Sequence, residues 1–85
     1  MAEVQFTPEA ADDFRRLPTA IKARVRDVVV RLAHWPDVSG AKPLRHDMKG
    51  AYRIRTGAYR IVFAAKGGAV VVTRIDNRRD VYKRR

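Results

Sequence analysis

The chain has 85 residues, no cysteine and a net charge of +10. That length allows one domain, expected over residues 1–85, that buries roughly 60–65% of its unfolded surface, and the missing cysteines exclude a disulfide framework or a cysteine-built zinc site. No apolar run reaches membrane-spanning length, and the opening MAEVQFTPEA has neither the basic start nor the apolar stretch of a signal peptide, so a cytoplasmic protein with no membrane contact is expected.

In chain order, residues 3–7 form a strand candidate, EVQFT. Thr7-Pro8-Glu9 then reads as a helix start, with Thr7 as N-cap, Pro8 at the first helical position and Glu9 at the positive end of the dipole. Ala10, Phe14 and Leu17 follow at helical spacing, and Pro18 ends the helix. Thr19 is expected to cap a second helix whose stripe is Ile21, Val25, Val28, Val29 and Leu32, closed by Trp35-Pro36. These two helices make an antiparallel hairpin with one face free for a core. After a loop over 36–50 the period changes. AYRIRT (51–56) and AYRI (58–61) alternate, and Gly57-Ala58 fits a two-residue hairpin turn with glycine first. Gly67-Gly68 marks the next turn. AVVVTRI (69–75) is apolar on both faces at its start, as an interior strand is. A strand, an antiparallel helix hairpin and a three-stranded antiparallel meander give an α+β fold, its helices on one face of the sheet.

The charge is unevenly placed. Residues 1–41 hold six Lys/Arg and six Asp/Glu, whereas residues 42–85 hold thirteen Lys/Arg and three Asp. The whole excess lies in the second half, which points to a polyanionic partner. With Gly57-Ala58 as the turn, Thr56 opposes Tyr59, Arg55 opposes Arg60, Ile54 opposes Ile61 and Tyr52 opposes Phe63. Alternation sends Tyr52, Ile54, Ile61 and Phe63 to the core and leaves Arg53, Arg55 and Arg60 together on the other face. Like charges directly opposite destabilise a sheet, and an anion between Arg55 and Arg60 removes that cost. A phosphate clamp is the functional reading, since arginine binds phosphate bidentately. An ordinary solvated hairpin face is the competing one. The tail DNRRDVYKRR interleaves arginines with Tyr82, a composition suited to single-stranded RNA, although Tyr82 as a core anchor explains it equally. Lys42, Arg45 and Lys49 before the hairpin, with Arg79, Lys83 and Arg84 after it, are the candidate RNA contacts around the clamp. His34 and His46 lack metal-ligand spacing, and neither a phosphate-binding glycine motif nor an HExxH is present. No cofactor or metal is expected.

The run KPLRHDMKGAYRIRTGAYRIVFAAKGGAVVVTRIDNRRDVYKRR resembles the second half of RelE/ParE superfamily toxins. It shares their PLR segment, the glycine before a basic strand, the GxYRIVF strand, and an arginine-rich turn followed by VY. The TPEAADDFRRLP opening and the long second helix resemble the first half. The resemblance implies the RelE-like fold. For the RelE branch it implies mRNA cleavage in the ribosomal A site by 2′-hydroxyl attack on the adjacent phosphate, without metal. The implied products are a 2′,3′-cyclic phosphate and a 5′-hydroxyl. It also implies a cognate antitoxin, hence a toxin–antitoxin hetero-oligomer. The implied active residues fall on Arg53, Arg55, Arg60, Arg78 and Tyr82. Where the best-known relatives carry lysine at the first pair, this chain carries arginine, which stays protonated and does not act as a general base. Tyr82 then remains as base candidate, its phenol pKa of about 10 lowered by surrounding arginines. Asn77 stands where many relatives carry histidine. The ParE branch, which poisons DNA gyrase, and a non-catalytic RNA-binding domain are the alternatives.

Overall fold

The computed structural model describes residues 1–45 and 49–77. The elements are β1 (Glu3–Phe6), α1 (Pro8–Arg15), α2 (Thr19–Leu32), β2 (Lys42–Pro43), β3 (Ala51–Thr56), β4 (Tyr59–Lys66) and β5 (Ala69–Asn77). Thr7 caps α1 as the sequence predicts. Its backbone is extended, and its hydroxyl accepts the Ala10 N–H at 3.1 Å, with Pro8 opening the helix. Thr19 does not cap α2. The helix starts one residue earlier than expected, with Pro18 in the cap position and no side-chain cap bond. A proline preset near helical φ begins a helix but has no side-chain acceptor to offer. At its other end α2 stops at Leu32, before the Trp35-Pro36 pair. The chain turns there, and Trp35 packs 4.6 Å from the Tyr52 ring and 5.2 Å from that of Phe63.

The sheet order is β1-β5-β4-β3-β2. β1 runs parallel to β5, and the remaining pairs are antiparallel. β5 is therefore an interior strand, which its doubly apolar start requires. Both glycine turns hold positive φ, +60° at Gly57 and +57° and +81° at Gly67 and Gly68, where a side chain is strained. The short edge strand β2 lies in what reads as loop. Two residues in register with β3 suffice to form it, too few for hydrophobic alternation to reveal.

The core joins Ala10, Val25, Val28 and Leu32 of the helices to Ile54, Ile61, Phe63, Val70, Val72 and Ile75 of the sheet. A bulge decides which β5 residues take part. Phe63 pairs with Val72 but Val62 pairs with Arg74, leaving Thr73 as the extra residue. Two β5 residues opposite one β4 residue reverse the alternation beyond that point. Val72 and Ile75 consequently both enter the core, while Arg74 and Asp76 are turned to the opposite face. The bulge is held from both sides, since the Thr73 hydroxyl donates to the Val62 carbonyl and the Thr7 hydroxyl donates to the Thr73 carbonyl. Beyond β1 the exposed edge of β5 is met by α1, where Asp13 accepts the Ile75 N–H at 3.0 Å. Among the described residues no helix is long and apolar enough to cross a membrane.

Candidate functional site

The face of the sheet away from the helices carries a grid of cations fixed by strand register. One row crosses the sheet as Arg55, Arg60 and Asp76, from β3, β4 and β5. The neighbouring row crosses as Lys42, Arg53, Val62 and Arg74, from β2 to β5. Adjacent strands are about 4.8 Å apart, so the row spans only a few nucleotide widths. A third row, Ala51, Ala64 and Val71, is small and apolar. The arrangement is a flat patch with an aliphatic floor at Val62 and arginines on three sides of it. Guanidinium forks are the side-chain chemistry that can take phosphate oxygens bidentately.

The hairpin register matches the sequence expectation pair for pair, with Arg55 opposite Arg60 and Arg53 alongside. The repulsion between Arg55 and Arg60 does not wait for an outside anion. Asp76 supplies one from within the chain. Its carboxylate, 5% exposed, accepts two bonds from Arg60, Nε at 3.2 Å and a terminal nitrogen at 3.3 Å. The same carboxylate pairs with Arg74 Nε at 2.9 Å. Arg60 is mostly buried and Arg74 about half exposed. The bidentate geometry is the strong form of the pair, and a carboxylate shared by two guanidiniums leaves a net positive site rather than a neutral one.

Of the expected RNA contacts, Lys42 joins the grid through its pairing with Arg53. Arg45 and Lys49 are exposed on the connection between β2 and β3, beside the grid and not within it. Arg78, Arg79, Tyr82, Lys83 and Arg84 lie outside the described residues, as does His46. Arg74 and Asp76 were not among the expected site residues. Their signal was present in TRIDN: a plain hairpin through Gly67-Gly68 puts Arg74 in the core and Ile75 outside, a conflict that only a bulge resolves.

Among the described residues, two further cavities are lined in part by helix side chains. One of about 150 Å³, lined by Asp13, Arg16, Tyr59, Asp76 and Asn77 among others, leads from the end of α1 to the Asp76 edge of the grid. Another, of about 520 Å³, is lined by Phe6, Ala11, Phe14, Val29 and Val30 with Arg15 and Arg26. It lies between the helices, away from the arginine face, and Val30 is 66% exposed there.

Fold and face together define a small basic α+β protein with an arginine-lined sheet face. The chain belongs to the RelE/ParE superfamily of type II toxin–antitoxin toxins. The family model described as ParE toxin of type II toxin-antitoxin system, parDE, matches residues 4–82. The toxin RelG of Mycobacterium tuberculosis is 32% identical over 83 residues, 95% of each chain. The toxin RelE of the same organism is 42% identical over 66 residues, 76% of this chain and 67% of that one. Among solved structures, the toxin–antitoxin complex RelBE2 of M. tuberculosis contains a chain that superposes with a TM-score of 0.75 at 29% identity, covering 89% of this chain and 96% of that one.

Proposed function

We propose that this chain is a ribosome-dependent mRNA endoribonuclease acting in the A site. The observation that carries the reading is the grid itself: Arg53, Arg55, Arg60 and Arg74 on three adjacent strands, on the face the helices leave free. A single-domain fold of this size has no reason to gather four arginines on a few square nanometres except to meet a polyanion. In this reading the RNA 2′-hydroxyl attacks the adjacent phosphate and the 5′-oxygen of the next nucleotide leaves, giving a 2′,3′-cyclic phosphate and a 5′-hydroxyl. Arg53, Arg55, Arg60 and Arg78 stabilise the charge that grows on the phosphorane, Tyr82 as its phenolate takes the 2′-hydroxyl proton, and the departing 5′-oxygen is protonated from solvent. Asp76, paired with two guanidiniums, takes no part in the proton transfers. The ribosome supplies what the arginines do not, the in-line alignment of the nucleophile.

A cytoplasmic site of action follows from the substrate. A cognate antitoxin is the expected partner, as the M. tuberculosis neighbour is seen in a toxin–antitoxin complex. A basic toxin favours an acidic partner. The apolar cavity between the helices, with Arg15 and Arg26 in its lining, suits an amphipathic antitoxin segment bearing acidic flanks.

One observation favours a second reading. The matching family model is described as a ParE toxin, and the ParE branch acts on DNA gyrase without cutting RNA. One experiment separates the two: purified protein is offered naked mRNA in excess EDTA, mRNA on ribosomes with an empty A site, and gyrase with plasmid DNA. Cleavage confined to the programmed ribosome, with a cyclic phosphate end, supports the nuclease. Gyrase-dependent DNA breaks without RNA cleavage support the alternative.

A further inference from the structure

Asp76 is the carboxylate set among the arginines of the grid, and it touches two of them at once. Arg60 meets it through Nε and one terminal nitrogen, at 3.2 and 3.3 Å, and Arg74 through Nε at 2.9 Å. A guanidinium has five N–H donors in a rigid plane. Asp76 therefore engages neither the second terminal nitrogen of Arg60 nor either terminal nitrogen of Arg74. Arg60, anchored along one edge by two hydrogen bonds, presents the other in a fixed direction, and the ion pair to Asp76 restrains Arg74 beside it, so both have less rotamer freedom left to lose when a ligand binds. The two arginines stand on neighbouring strands and neighbouring rows, Arg60 opposite Asp76 and Arg74 opposite Val62. Asp76 thus links them diagonally, and the bulge at Thr73 brings both β5 residues to this face.

We propose that Asp76 is a positioning residue that holds Arg60 and Arg74 as one preformed fork for an RNA phosphate, making Arg74 a fourth phosphate-binding arginine of the face. Each guanidinium is bridged, with the buried carboxylate behind it and the phosphate in front. No proton moves, and Asp76 touches no reacting atom. The inference rests on the RNA-cleaving reading above for its kinetic consequences, but not for the binding itself.

The test uses the full chain in two arms. In the first, ¹⁵N NMR follows the arginine Nε–H signals while a short 2′-O-methyl RNA, which cannot be cleaved by this chemistry, is added. In the wild type the Arg60 and Arg74 signals are expected to be resolved and slow to exchange, and to shift on adding RNA. In Asp76→Asn they are expected to collapse toward the signals of free arginine. In the second arm, cleavage on programmed ribosomes is measured per folded molecule. Asp76→Asn is expected to lower the maximal rate about tenfold through lost alignment, with the half-saturating concentration unchanged or lower because the variant gains positive charge. A purely structural role predicts a lower melting temperature and an unchanged rate per folded molecule, which overturns the proposal. A faster variant also overturns it, because Asp76 would then be competing with phosphate. Arg74→Ala leaves the Arg60–Asp76 pair standing, so it tests the idea even where Asp76→Asn folds poorly. It is expected to raise the half-saturating concentration and reduce the salt slope of binding by about 0.7, with Arg74→Lys restoring part of both. Unchanged binding in Arg74→Ala removes Arg74 from the site. Should the wild type cut no RNA at all, the nuclease reading fails while the NMR arm still decides this one: Arg60 and Arg74 signals that ignore the RNA end it.

Discussion

Replacing Arg60 with alanine perturbs stability and activity by separable amounts. Among the described residues, the substitution deletes two of the three side-chain contacts of Asp76 and leaves this largely buried carboxylate with Arg74 as its partner. An under-satisfied buried charge of this kind destabilises by about 1–3 kcal/mol, offset slightly by relief of the Arg55–Arg60 repulsion. In a domain of 85 residues that lowers the melting temperature by about 5–20 °C. A domain with about 5 kcal/mol of stability still keeps nearly all of its molecules folded after losing about 2. The expected loss of cleavage, on the order of 100-fold from one missing transition-state donor, therefore cannot come from unfolding. The double variant Arg60→Ala/Asp76→Ala makes the separation visible. It removes the stranded carboxylate, so thermal melting followed by circular dichroism should show most of the stability restored, whereas cleavage on programmed ribosomes should stay low. Recovery of cleavage together with stability would refute the reasoning, because Arg60 would then matter only as the partner of Asp76.

The other expectations are narrower. Tyr82→Phe should abolish cleavage and spare RNA binding if the phenol is the base, measured by rapid-quench and by filter binding, and a near-normal rate would leave the base role vacant. Raising salt from 50 to 200 mM should weaken binding to the RNA steeply, with a log–log slope of about −0.7 per phosphate engaged, and a flat profile would remove the grid from binding. Gly57→Val forces a β-branched residue into a backbone at φ +60° and places its Cβ 3.0 Å from the Arg24 guanidinium. A loss of about 1–2 kcal/mol is expected in denaturant unfolding, because the turn that sets Arg55 against Arg60 is strained. Val30→Asp, at an exposed position lining the apolar cavity, should weaken capture of the antitoxin about tenfold in calorimetry, since a charge there opposes apolar burial.

Much of this geometry was legible in the chain because local rules carried it. The Gly57-Ala58 turn sets the register of β3 and β4, and period-two alternation then places Ile54, Ile61 and Phe63 inside and Arg53, Arg55 and Arg60 outside without any tertiary information. Thr7-Pro8-Glu9 announces α1 in the same local way. What was not legible depends on partners distant in sequence. The parallel pairing of β1 with β5 joins residues 3–6 to 69–72, and a four-residue strand carries no mark of its neighbour. The start of α2 escaped because proline and threonine are both plausible at a helix entrance, and only the backbone shows which one holds the cap.

The bulge at Thr73 ties the cationic face to the packing of the core. Counting back from Gly67-Gly68 without a bulge sets Arg74 against Ile61, inside the core, and Ile75 against Arg60 on the cationic face. Burying an unpaired guanidinium among Val25, Leu32 and Phe63 would cost several kcal/mol, far more than the disrupted ladder of one bulge. The chain takes the cheaper course, and hydroxyls of Thr73 and Thr7 secure it. The same shift delivers Asp76 opposite Arg60. The energetics that keep an arginine out of the core therefore also place the carboxylate that pairs with two of the four arginines of this face, Arg60 and Arg74. If the proposed reading holds, an RNA phosphate meets Arg60 and Arg74 already paired to Asp76 rather than two guanidiniums it must first gather.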